Sequence, residues 1–149
     1  MVDVSGKQIT VREALAAGFV SMSTATAEMI RAGNAKKGDV LGVARLAAIQ
    51  ATKMTPQLIP LCHAIPVESV TVEFDWEQEG AESVQEVLRC TVRVRTSAKT
   101  GVEMEAMAAA SIGCLTIYDM VKSVERGIEI GPIQLLEKSG GKSGEFRRD

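Results

Sequence analysis

Asp119 and Lys122 stand three residues apart in a long apolar-periodic stretch, so a helix would place both side chains on one face. Two readings fit such a pair. One is a surface ion pair contributing about 0.2–0.5 kcal/mol. The other is a lysine whose pKa is lowered by partial burial and other cations, exchanging protons beside an orienting aspartate. Glu103 and Glu105 open the same stretch. Acids in a first turn ordinarily serve the helix dipole. These two would point about 200° apart, however, which turns one of them inward, where a carboxylate needs a hydrogen-bond donor.

His63 is the only histidine, and it follows Cys62 in Pro60-Leu-Cys-His-Ala-Ile-Pro66, a connector stiffened by proline at both ends. A zinc site is disfavoured because Cys90 and Cys114 occupy apolar stripe positions and too few ligands remain. Adjacent Cys and His seldom aim imidazole at sulfur, which disfavours a nucleophile pair. Two roles stay open for His63, a structural hydrogen bond or substrate binding from a stiff loop. Gly141-Lys142-Ser143 resembles the end of a phosphate-binding loop, but Leu136 stands where that motif requires glycine and no helical pattern follows. Lys142 then reads as a mobile surface lysine or as part of an arm closing over phosphates.

The elements that must position these residues follow from periodicity. A strand is predicted around Glu13 to Met22, with a capping-box helix from Thr10-Val-Arg-Glu13 as the competing reading. A short helix fits Thr24 to Ala32, stopped by Gly33. Asp39 should cap a second helix whose stripe of Val40, Val43, Ala44, Ala47, Ala48 and Ala51 allows close approach, with Pro56 and Pro60 limiting its end. Val70 to Trp76 and Leu88 to Val94 alternate in polarity and predict an antiparallel hairpin about Gly80, its acidic run facing arginines as a solvated surface. Gly101 to Val124 is the longest helical pattern, Ile128 to Lys138 a closing strand, and the glycine-rich tail from Ser139 is flexible by composition. The sum is a single α+β domain over residues 1–149, with helices covering one face of an antiparallel sheet.

Bulk composition sets outer limits. The 149 residues suit one core, and 46% hydrophobic with 24% charged residues excludes disorder and low complexity. Six of the 19 acids lie between Glu73 and Glu86, so the 17 bases outnumber the acids elsewhere. That mild excess suits an anionic small molecule better than nucleic acid, and 3% aromatics disfavours base-stacking platforms. Three cysteines without a CxxC pair argue against a disulfide framework. No leader or run of ~20 apolar residues is visible, and a cytoplasmic location without membrane association is expected.

Four segments in order, Leu58-Ile-Pro-Leu-Cys-His63, Lys99-Thr-Gly-Val-Glu-Met-Glu-Ala106, Leu115-Thr-Ile-Tyr-Asp-Met120 and Lys138-Ser-Gly-Gly-Lys-Ser-Gly144, carry a resemblance, together with Met-Val-Asp-Val-Ser5 and Lys37-Gly-Asp39. They resemble the molybdenum cofactor biosynthesis protein C family nearly end to end. The resemblance implies a ferredoxin-like subunit and a homohexamer, a trimer of dimers with active sites between subunits. It implies conversion of 3′,8-cyclo-7,8-dihydro-GTP into cyclic pyranopterin monophosphate plus pyrophosphate. By motif, Asp119 and Lys122 match catalytic positions, Leu61, Cys62, His63, Met104 and Glu105 match substrate-binding positions, and Lys37, Lys53 and Lys138 match basic active-site positions. No metal site or resident cofactor is implied, although Mg2+ is compatible with the substrate triphosphate. The family commonly has proline directly after the histidine, where this chain has Ala64. A nucleotide-sensing module and a structural oligomer subunit are the rival readings for this fold. The scattered lysines disfavour the second, and the Asp119/Lys122 pair disfavours the first.

Overall fold

A computed structural model describes residues 1–77 and 85–149. The order is β1 (Thr10–Ser23), α1 (Thr24–Arg31), α2 (Val40–Leu58), β2 (Ser69–Trp76), β3 (Gln85–Ala98), α3 (Glu103–Val121), β4 (Glu129–Ser139) and β5 (Phe146–Arg147). The five strands lie in the order β2-β3-β1-β4-β5, every pairing antiparallel. The first four strands with their two helical crossovers make the β-α-β-β-α-β ferredoxin-like pattern expected from the sequence. The tip of the β2–β3 hairpin, with the turn expected at Gly80, lies outside the described residues.

Alternation builds the core. Ala14, Ala16, Val20 and Met22 of β1 and Leu88, Cys90, Val92 and Val94 of β3 are buried, on the face that α2 and α3 cover. The small residues make that covering tight. A Cβ built on Gly18 would sit 2.7 Å from Cys114 Sγ and 3.2 Å from the Ala110 carbonyl, so α3 rests almost directly on β1. Ala44 and Ala48 of α2 are likewise fully buried against α3.

Several local expectations are met. The Asp39 side chain accepts from Gly42 N at 2.8 Å, and Gly33 after α1 has φ +69°. Across the hairpin, Arg89 reaches Asp75 at 3.8 Å and Glu77 at 3.2 Å. Others are revised. β1 begins at Thr10, because Thr10 to Ser23 pair continuously with β3 and overrule the capping-box reading. Pro56 lies inside α2, which runs to Leu58, since a proline near a helix end removes only one donor. The tail also carries structure, with β5 pairing Phe146 to Lys138 and Arg147 to Glu137.

Candidate active site

The candidate residues fall at the two ends of the α2–α3 pair. At the end where α3 stops, Asp119 Oδ1 takes Lys122 Nζ at 2.6 Å and Oδ2 takes Lys37 Nζ at 2.8 Å. Lys37 also donates to the Asp119 carbonyl at 2.8 Å, satisfying a carbonyl in the last turn of α3. The two ammonium groups hold the Asp119 carboxyl down to about 2, Lys122 contributing most. Reciprocally, Asp119 pushes the Lys122 pKa up. This corrects the expectation of a lysine lowered by burial and cations. Both side chains are about half exposed, so desolvation is weak and the carboxylate dominates. In this geometry the Lys122 ammonium is held charged in an ion pair with Asp119.

At the opposite end, Glu105 is 1% exposed, so it is the inward-facing acid of the first turn. Cys62 Sγ approaches its Oε1 at 3.7 Å, while Oε2 has no partner among the described residues. Burial pushes the Glu105 carboxyl up, and burial followed by the Glu105 charge pushes the Cys62 thiol up. Cys62 is therefore a thiol here and not an activated nucleophile. The connector that carries it is fastened at both sides. Cys62 N bonds the Ile59 carbonyl at 3.0 Å, and the Thr96 hydroxyl of β3 donates to the Pro66 carbonyl. His63 Nε2 lies 2.8 Å from the Val2 carbonyl. Met104 is exposed beside Glu105, and Leu61 is exposed on the connector. Lys138 of β4 reaches Glu103 at 3.7 Å and the Ser143 hydroxyl at 2.7 Å.

The two ends are far apart. At ~1.5 Å rise per residue, Glu105 and Asp119 are separated by about 21 Å along α3. Lys53 is exposed on α2, about 20 Å along that helix from its start beside Lys37. One chain thus joins Lys37, Asp119 and Lys122, and separately joins Cys62 with Glu105; it does not bring the two groups together.

Beside the Glu105 end lies a set of cations of which only Lys142 carried a phosphate-binding reading in the sequence. Two adjoining cavities of about 380 and 500 Å3 share Lys7, Arg12 and Lys142, and the first also includes Lys99 and Glu103. Arg12 is 8% exposed and donates to the Ala98 and Lys99 carbonyls, each at 3.4 Å. Among the described residues it pairs with no carboxylate. A buried guanidinium without a counter-charge is a ready anion site. The tail glycines are shaped to it. Gly140 and Gly141 have φ +92° and +76°, and a Cβ on Gly141 would overlap the Arg12 guanidinium. The signals were present in the sequence: Lys7 follows Met-Val-Asp-Val-Ser5 after Gly6, and Lys99 begins the Lys99-Thr-Gly-Val-Glu-Met-Glu-Ala106 segment. A third cavity, about 210 Å3 near β5, is lined by charges already paired as Arg93 with Glu13 and Arg147 with Glu137.

The MoaC family model matches residues 1–141. The chain belongs to the MoaC family. It is also 57% identical over 153 residues to a protein of Rhodopirellula baltica named cyclic pyranopterin monophosphate synthase, an alignment covering all of this chain and 87% of the relative. The segments that carried the resemblance fall within the matched span except for Lys142, Ser143 and Gly144 at the end of the last one.

Proposed function

We propose that this chain converts 3′,8-cyclo-7,8-dihydroguanosine 5′-triphosphate to cyclic pyranopterin monophosphate and pyrophosphate, an early step of molybdenum cofactor biosynthesis. The family match across the chain carries this reading. The basin of Lys7, Arg12, Lys99 and Lys142 supports it, because a triphosphate and its leaving pyrophosphate need concentrated positive charge. In this scheme the cations hold the phosphates, Lys138 and Lys53 extend the clamp, and Leu61, Cys62, His63, Met104 and Glu105 receive the rest of the substrate. Asp119 keeps Lys122 protonated for transfer to a developing anion, with Lys37 as the second ammonium. Mg2+ would travel with the triphosphate as part of the substrate.

The ~21 Å between the two ends supports sites shared between subunits, in which Asp119 and Lys122 of one chain face His63 and Glu105 of another. A homohexamer built as a trimer of dimers is the assembly we propose, and the cytoplasm is the compartment. The direct test is incubation with the cyclised GTP intermediate, assaying pyrophosphate and pterin. A folded protein that forms neither would refute the assignment. Lys53→Ala, Lys138→Ala or Lys142→Ala should weaken triphosphate binding by ~1.5–3 kcal/mol each, and a monophosphate analogue less. Equal losses for both ligands would remove that lysine from the β- and γ-phosphates.

A further inference from the structure

Residues 1–9 lie outside every helix and strand, yet two of their carbonyls meet basic side chains at the Glu105 end. Val2 O lies 2.8 Å from His63 Nε2, and Ser5 O accepts from Lys99 Nζ at 2.8 Å. The segment is shaped by its own bonds. Ser5 N donates to Asp3 Oδ1 at 2.8 Å and Lys7 N donates to the Val4 carbonyl at 3.0 Å. Met1 and Val2 are 74% and 72% exposed, so the contact with His63 is made by backbone and not by apolar side chains. The same stretch continues into Gly6, Lys7 and Gln8, which line the larger cation cavity.

A carbonyl oxygen only accepts, so the imidazole nitrogen facing it must carry the proton. In neutral imidazole that leaves the lone pair on Nδ1, because the partner of one ring nitrogen decides the role of the other. We infer that Met1–Ser5 is a positioning strap whose Val2 carbonyl fixes His63 as the Nε2–H tautomer and presents Nδ1 to accept an N–H or O–H of the ligand. Its continuation into the basin wall links the orientation of His63 to the place where phosphate is held. The inference rests on the reading of His63 as a ligand-contacting residue.

Because His63 is the only histidine, protein labelled with 15N-histidine gives one pair of ring signals. In the ligand-free protein, with the imidazole neutral, Nε2 should be the protonated, pyrrole-like nitrogen and Nδ1 the pyridine-like one. A chain starting at Ser5 should shift toward a mixture of tautomers. An Nδ1–H tautomer in the full chain overturns the inference, whether or not the shortened chain folds. So does an unchanged spectrum in a folded shortened chain. The functional arm compares His63→Asn, whose amide falls near Nδ1, with His63→Gln, whose amide reaches toward Nε2. Gln should raise KM about three- to tenfold more than Asn does, the worth of one hydrogen bond. Equal effects would overturn the role of Nδ1. The spectrum is read without turnover, so failure of the strap and failure of the synthase reading are separately visible.

Discussion

The carboxyl groups of Asp119 and Glu105 are displaced in opposite directions by their surroundings. Asp119, between two ammonium groups, is ionised down to about pH 2, and its ion pairs are lost only as pH falls through that range. Lys122→Ala should cut turnover ~10²–10⁴-fold with the assembly intact, and Asp119→Asn should lose most activity by releasing the lysine. Near-normal kcat in either variant would take that residue out of the mechanism. Glu105 is raised by burial, so the folded chain holds its proton to higher pH than the unfolded chain does. The unfolded state then binds fewer protons above the ordinary carboxylate range, and stability falls as pH rises through that window. Glu105→Gln should therefore gain stability relative to the parent between mildly acidic and neutral pH and match it at low pH. Thermal unfolding across pH checks this, and parallel curves would contradict it.

The elements show what could be read ahead of the structure. Asp39 as a cap, the alternating hairpin and the alanine-rich helix faces were legible because each is a local pattern with a local cause. The start of β1 and the end of α2 were not, since pairing with β3 and packing on α3 decide them. Arg12 was hidden for a related reason. On a strand that alternates toward the core its position is inward, but a charge there reads as a surface residue until the cavity and the folded-back glycines appear. The contact of β1 with α3 gives an element-scale prediction. Gly18→Ala should cost ~1–3 kcal/mol, measured as a shift in the urea midpoint, because the new methyl meets Cys114 Sγ and the Ala110 carbonyl. Adding Cys114→Ala should return part of that loss, and strict additivity would show that the sulfur is not the obstacle.

Across the whole molecule, α2 and α3 run antiparallel, with Lys37 beside Asp119 at one end and Cys62 beside Glu105 at the other. If sites are shared, inactive Lys122→Ala chains mixed with inactive His63→Ala chains after co-unfolding should regain activity, because some hybrid sites receive both intact groups. Proven exchange with no recovery would place both residues in one site of one chain. α3 is the one described helix long and apolar enough to cross a membrane by length and composition, and half of it is buried within the fold. Its two polar ends also set a rule of dosage. Each chain would lend one end to one reaction centre and the other end to a second. A chain spoiled at one end silences one centre, whereas a chain spoiled at both silences two. In random mixtures, residual activity should therefore fall in proportion to the healthy fraction for the first kind of defect and with its square for the second.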